Sequence, residues 1–410
     1  MRETLIHAKY VLAAKGALLA NKAVLVRRGR FHEIGDAAEM ARRHPTAETL
    51  DFPRGAMTPG FVDAHCHAEL DFCKDRVKYD GNFIGWLQSV RDIKLKSSPP
   101  PVSNPVPSVR ALMASGVTTL ADHHNMHMDF AGVLATGVRY FGFKEVFQFH
   151  NHDPKITELL PGVVYSFAIH SPYTTSREVA LACRKFASRN GRPISMHLSE
   201  MLPELEFIRT GKEPLIEELL RKADSLDPTF KGTGKTPVTY FFENGLLTPR
   251  TFAVHVNYYG PNDVYLLKKS GATVVYCPKS HDYFRHPTHP VETYLASGIN
   301  VALGTDSYAS NDTMSILAEM KMLREKFPRI PATTVFRMVT ENGLRPLGMH
   351  SQAGEVREGR LADFAIFDDA AGGDFETIFD GIIRERSASD LTAVAGRITH
   401  DAKSAVTAVA

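Results

Sequence analysis

Apolar and polar positions follow two rhythms along this chain. Through the middle, short apolar runs of strand length recur: Gly60–Ala64, Gly116–Ala121, Tyr140–Phe147, Val163–Ile169, Pro193–Leu198, Thr251–Val256, Thr273–Tyr276 and Val301–Gly304. Between several of them lie Glu178–Ser188, Glu217–Ala223, Pro261–Lys269 and Met314–Lys326, with apolar residues at helical spacing. Eight strands alternating with helices predict an α/β architecture, a parallel (β/α)8 or TIM barrel. Toward both ends the pattern becomes strand-like and turns often. Ala23–Arg27 and Phe31–Gly35, joined through Gly29-Arg30, read as a β-hairpin. Gly359–Phe367 reads as a turn feeding a buried strand, and Leu391–Thr399 as another. The expected layout is a small β-sandwich domain built from residues 1–58 and 351–410, around a barrel over residues 59–350. The proline-rich stretch Ser97–Ser108 breaks both rhythms. It reads as a linker or surface loop, with a mobile lid near the site as the alternative.

Composition narrows the class of function. The 410 residues suit one large barrel plus a smaller module, and 43% hydrophobic with 23% charged residues is ordinary for a globular protein. A net charge of +2 gives no reason to expect nucleic acid or an acidic membrane as partner. Cys66, Cys73, Cys183 and Cys277 are scattered without a Cys-x-x-Cys, which fits a reducing compartment. The N-terminal apolar stretch Tyr10–Ala14 meets Lys15 at once, unlike a signal peptide. No run approaches the ~20 apolar residues of a membrane span. The chain therefore reads as cytoplasmic, acting on a small molecule, with a homo-oligomer left open.

Chemistry enters at the ends of the apolar runs. Thr58–His67 closes on His65 and His67, and strand residues i and i+2 share a face, so the pair aims two imidazoles at one point. The fifth run has His197 and the sixth His255 as its next-to-last residue, and the eighth leads to Asp306. Barrel enzymes place their chemistry at these strand ends. His65, His67, His197 and Asp306 form a plausible shell for one divalent ion with a position left for water. Such an ion lowers the water's pKa toward ~7. Glu200, three positions beyond His197, is placed to move a proton without binding the ion, with a carboxylate at a helix start as the alternative reading of that position. His255 is placed to hold the hydroxide or a developing oxyanion. His67-Ala68-Glu69 also matches the His-x-Glu of cytidine deaminases, but no Pro-Cys-x-x-Cys follows.

Pro59–His67, Met196–Glu200, Val254-His255 and Gly304–Ser307, together with Gly354–Phe364, resemble the amidohydrolase superfamily over nearly the whole chain. They are most similar to its mononuclear deaminases of cytosine, guanine and S-adenosylhomocysteine. The resemblance implies one zinc, or iron, held by His65, His67, His197 and Asp306. It implies attack of metal-bound hydroxide on an amidine-like ring carbon and release of ammonia. Glu200 passes a proton to the ring nitrogen, Asp306 accepts the hydroxide's proton and His255 orients the nucleophile. A second metal in this superfamily usually needs a carboxylated lysine on the fourth strand. Here that run ends in His170 and contains no lysine, and Lys144 on the third strand is the remaining candidate.

His170-Ser171-Pro172-Tyr173 resembles a strand end that contacts ribose in nucleoside deaminases of this branch; an incidental histidine in a turn is the alternative. Glu69–Arg91, with Phe83, Trp86 and Arg91, resembles the segment after the first strand in aminodeoxyfutalosine deaminases of menaquinone biosynthesis. Trp86 is the only tryptophan, expected to pack against a base rather than merely anchor a helix. Val90–Lys96 lacks the glutamate that binds ribose hydroxyls in S-adenosylhomocysteine and methylthioadenosine deaminases. The implied substrate is a 6-aminopurine nucleoside, 6-amino-6-deoxyfutalosine first. Adenosine, S-adenosylhomocysteine or methylthioadenosine deaminase, guanine or cytosine deaminase and triazine chlorohydrolase stand behind it. A metal-free structural or binding relative is the reading from a different class.

Overall fold

The structure is a computed structural model that describes residues 3–96, 103–125, 128–147, 163–223 and 225–403. Four strands come first: β1 (Thr4–Leu12), β2 (Leu18–Arg27), β3 (Arg30–Asp36) and β4 (Glu48–Pro59). Eight follow: β5 (Phe61–Cys66), β6 (Val117–His124), β7 (Arg139–Val146), β8 (Val164–Ile169), β9 (Ile194–Leu198), β10 (Thr251–His255), β11 (Thr273–Tyr276) and β12 (Asn300–Leu303). The chain ends in β13 (Phe364–Phe367), β14 (Leu391–Val394) and β15 (Arg397–Asp401).

Strands β5 to β12 pair in sequence order, all parallel, each at an apolar run read from the sequence. Alternate side chains turn inward, as the two-residue strand period requires. Val62, Ala64, Ala121, Phe143, Ala168, Val254, Val275 and Ala302 fill the interior. The other face is covered by the intervening helices. The first and last strands meet at a parallel bridge between Cys66 and Asp306, which closes the (β/α)8 barrel. Two sequence readings need adjustment. The proline-rich stretch gives way to helix at Val106–Ala114, and its residues 97–102, where a lid was considered, lie outside the described residues. Leu391–Thr399 is not one strand but β14 and the start of β15, joined through Ala395-Gly396.

The two ends of the chain form one seven-stranded mixed sheet in the order β15-β14-β13-β4-β1-β2-β3. Its edge strand β3 returns to the segment before β13: Phe31 N donates to Arg360 O (3.0 Å), and Gly359 N donates to Phe31 O (2.8 Å). The sheet thus wraps around a core in which Phe31 and Phe364 lie 6.4 Å apart. A single residue, Gly60, separates β4 from β5, so the chain steps directly from this sheet into the barrel. The two units are clamped where Arg139, the first residue of β7, forks onto buried Asp363. Asp363 Oδ1 also accepts Ala395 N at 2.8 Å.

Removing the carboxylate leaves a largely buried guanidinium with the Thr119 hydroxyl at 3.3 Å but no counter-charge, and takes the partner from a backbone donor. Asp363→Ala is expected to cost about 3 kcal/mol and to lower the thermal midpoint by roughly 5 °C. Arg209→Ala, which breaks an exposed pair with Glu206, is expected to leave the midpoint nearly unchanged. Thermal unfolding followed by circular dichroism checks both.

Candidate metal centre

Strict alternation from Val62 and Ala64 would send His65 away from the barrel interior. The register between β5 and β6 instead shifts between Asp63 and Cys66, and irregularities of this kind re-aim side chains beside active sites. The His65 and His67 rings meet edge to face at 4.9 Å. Asp63 fixes the turn: its carboxylate accepts His65 N (3.2 Å), Thr305 N (3.2 Å) and the Thr305 hydroxyl (2.6 Å). His65 O in turn accepts Thr305 N (2.9 Å) and Asp306 N (3.1 Å), and His67 N donates to Asp306 O (2.9 Å). The first and eighth strands are thereby locked together at His65, His67 and Asp306.

Four donors converge. His67 Nε2 lies 3.3 Å from His197 Nε2, while Asp306 Oδ1 lies 3.8 Å from His65 Nε2 and 3.9 Å from His67 Nε2. Donors about 2.1 Å from a tetrahedral zinc ion sit roughly 3.4 Å apart, so these spacings suit one divalent ion. The tautomers suit it as well. His197 Nδ1 donates to His170 O at 2.8 Å, which leaves the lone pair on Nε2. Asp306 Oδ2 accepts the hydroxyls of Ser280 (2.6 Å) and Ser310 (2.7 Å), which leaves Oδ1 facing the imidazoles. Both nitrogens of fully buried His65 lack a hydrogen-bond partner. A cation between these atoms would satisfy what the protein leaves unpaired.

The electrostatics separate the neighbouring groups. Burial, and then the adjacent imidazoles of His65 and His197, hold His67 well below its ordinary pKa. Burial and His65 push His197 down to about 3. Burial alone would raise Asp306, but His65, His255 and His67 outweigh it and hold the carboxyl well below the usual range. Glu200 moves the other way: burial, then Asp306 and Glu204, raise it well above a normal carboxylate. Its Oε1 lies 3.6 Å from His255 Nε2. Glu204 accepts Ser199 N (2.7 Å) and Glu200 N (2.9 Å), which fixes the turn carrying Glu200. Ser199, His255, Val256 and Asp306 all have left-handed backbones, with φ of 51°, 70°, 47° and 60°. Side chains other than glycine resist that region, and such strain gathers at functional sites.

Above the ligands opens a cavity of about 580 Å³, lined in part by His67, His197, Glu200, His255 and Asp306. His170, Trp86, Phe83 and Arg91 all line the same cavity. The last three stand on the helix Phe83–Lys96, which forms one wall. Trp86 Nε1 donates to Ala309 O at 2.8 Å, so the indole ties this helix to the loop after β12 while bordering the cavity. His170 stacks on Phe147 at 4.0 Å, and its Nδ1 bonds the Thr174 hydroxyl at 2.8 Å.

Sequence reasoning missed two inward groups, His123 at the end of β6 and Glu145 near the end of β7. Carrying the second run two residues past Ala121 would have found the first. The two-residue period through Phe141, Phe143 and Glu145 would have found the second. The same period turns Lys144 to the opposite face from Glu145.

Gly304 backs the first ligand. A Cβ there would stand 2.7 Å from His65 O and 2.9 Å from His65 Cβ. Gly304→Ala is expected to displace His65 and weaken metal binding roughly tenfold or more with the fold retained. Titration against a chromogenic chelator checks it, with circular dichroism as control.

Comparison with known proteins places this geometry in a family. Residues 56–398 match the amidohydrolase family, and residues 23–47 match an imidazolonepropionase-like composite domain of bacteria. A 5-methylthioadenosine/S-adenosylhomocysteine deaminase of Syntrophobacter fumaroxidans is 29% identical over 370 residues, 84% of this chain and 80% of its own. The aminodeoxyfutalosine deaminase of Deinococcus radiodurans is 31% identical over 196 residues, 46% of each chain. Helicobacter pylori aminofutalosine deaminase, in a crystal structure with methylthio-coformycin, shares the fold with a TM-score of 0.83 at 20% identity, covering 96% of this chain and 99% of that one. With the family match running from the end of β4 into β15, the chain belongs to the amidohydrolase family.

Proposed function

We propose that this protein is a metal-dependent hydrolytic deaminase of a 6-aminopurine nucleoside, with 6-amino-6-deoxyfutalosine, an intermediate of menaquinone synthesis, as substrate. The observation that carries the reading is the convergence of three imidazoles and Asp306 beneath a partly aromatic cavity, with Glu200 and His255 at the cavity floor. The similar proteins named above are a 5-methylthioadenosine/S-adenosylhomocysteine deaminase, an aminodeoxyfutalosine deaminase and an aminofutalosine deaminase. One divalent ion, zinc first and iron second, held by His65, His67, His197 and Asp306, would supply the Lewis acidity that makes a water acidic enough to ionise near neutral pH.

The chain's own residues do the rest. Asp306, kept anionic by its imidazole neighbours, takes the proton released by the attacking water. Glu200, kept neutral by burial, gives its proton to the ring nitrogen beside the carbon under attack. Neighbouring carboxyls with pKa values driven apart are the pattern expected of an acid and a base. His255 orients the attacking oxygen. The proton held by Asp306 then passes to the exocyclic nitrogen, ammonia leaves, and the hydroxyl proton returns to Glu200 as the carbonyl forms. Phe83, Trp86 and Phe147 offer apolar faces to a flat base, and His170 and Arg91 are the polar groups placed for the remainder of the nucleoside.

A second reading, a methylthioadenosine/S-adenosylhomocysteine deaminase, is favoured by the relative that spans more of the chain. Against it stands the helix Phe83–Lys96, which carries no glutamate for a ribose diol.

A spectrophotometric panel of aminodeoxyfutalosine, adenosine, methylthioadenosine, S-adenosylhomocysteine, guanine and cytosine separates the readings. The highest kcat/KM is expected on aminodeoxyfutalosine; a preference for either thioether nucleoside selects the second reading, and inertness toward all six removes both. Glu200→Gln is expected to keep the metal and lose roughly 10²- to 10⁴-fold in kcat. Full turnover in that variant would take Glu200 out of the mechanism. His170→Ala is expected to raise KM for nucleosides far more than for free bases, and an equal effect on both would contradict a role at the sugar.

A further inference from the structure

Two buried groups at the barrel mouth have no part in the scheme above. His123 is 1% exposed, and neither of its ring nitrogens has a hydrogen-bond partner. Glu145 Oε1 is likewise buried and unpartnered. Folds seldom leave such atoms dry and unpaired unless something else engages them. The two face each other, with His123 Nδ1 3.6 Å from Glu145 Oε1.

His123 also faces the ligands. Its ring meets His65 edge to face at 4.4 Å and lies 5.3 Å from the rings of both His67 and His197. One ligand atom from each of His65, His67, His123 and His197 lies within 4.8 Å of all the others. Glu145 is held from behind. Asn125 Nδ2 donates to Glu145 Oε2 at 2.6 Å, and Asn125 Oδ1 accepts Lys94 Nζ at 3.0 Å. Lys94 and Asn125 N both reach Glu69, at 3.1 and 3.0 Å. With Oε2 engaged, Oε1 is the oxygen turned toward the imidazoles, nearest to His123 Nδ1 and 4.0 Å from both His67 Nδ1 and His197 Nδ1. An Nδ1–H aimed at that oxygen would leave the lone pair on Nε2. A carboxylate behind an imidazole is the arrangement that sets a histidine in its metal-binding tautomer.

We propose that His123 is a fourth imidazole ligand of the metal centre, set in its ligand tautomer by Glu145. The proposal rests on the metal centre described above and is independent of the substrate. Four imidazoles and one carboxylate make a nitrogen-rich donor set suited to zinc, iron or cobalt.

Cobalt(II) is the probe, in the full chain and without substrate. His123→Phe keeps a ring in place but cannot ligate. It is expected to shift the visible cobalt bands and to lose roughly tenfold or more in cobalt affinity against a chelator. Glu145→Gln is expected to keep the band positions while weakening affinity roughly 10- to 100-fold. Should His123→Phe fail to fold, the wild-type protein suffices: its paramagnetically shifted proton spectrum is expected to show four coordinated imidazole rings. Unchanged bands and affinity in folded His123→Phe, or three coordinated rings in the wild type, would overturn the proposal while leaving the metal centre standing. A wild-type protein that takes up no cobalt would overturn the metal centre and the proposal together.

Discussion

The site depends on the seam where the first and eighth barrel strands meet. A (β/α)8 barrel must close somewhere, and here the closing bonds run through Asp63, His65, Thr305 and Asp306. The Asp63 carboxylate receives both the strand that carries His65 and the loop that carries Asp306. His65 and Asp306, far apart in the chain, are thus placed by the bonds that complete the barrel. Small residues serve the same seam, since only the bare Cα of Gly304 lets β12 pass so close to His65. Left-handed backbone at His255 and Asp306 is the conformational cost of turning these side chains over the mouth.

Around the seam, burial does most of the electrostatic work. Imidazoles crowded together without water are held neutral, which is the form that ligates. His65, His255 and His67 hold Asp306 anionic, while burial, Asp306 and Glu204 hold Glu200 protonated although His255 lies 3.6 Å away. One desolvated volume therefore contains neutral imidazoles, an anionic carboxylate and a protonated one. Two hydroxyls on Asp306 and a backbone carbonyl on His197 fix which atoms face inward.

Much of this was legible in the sequence, because burial writes itself into short apolar runs. All eight barrel strands fall at such runs, and His67, His197, His255 and Asp306 stand where runs end in a polar group. His-x-His was legible as a pair, although a register shift rather than simple alternation turns it inward. His123 was hidden because its run ends in Asp122-His123-His124, where the apolar signal stops early. Glu145 was hidden inside a run, where a lone carboxylate looks like an interruption. The bonds from Asp63 to Thr305 join residues 242 positions apart and leave no local trace. Nor does the path from Lys94 through Asn125 to Glu145, which forms only once the helix Phe83–Lys96 packs beside the barrel mouth.

The central claim is that these donors hold one metal ion. Elemental analysis of the protein, purified without added metal or chelator, tests it most directly. The account predicts about one equivalent of a transition metal per chain, zinc or iron. A protein purified with no transition metal, or with two equivalents per chain, would contradict it.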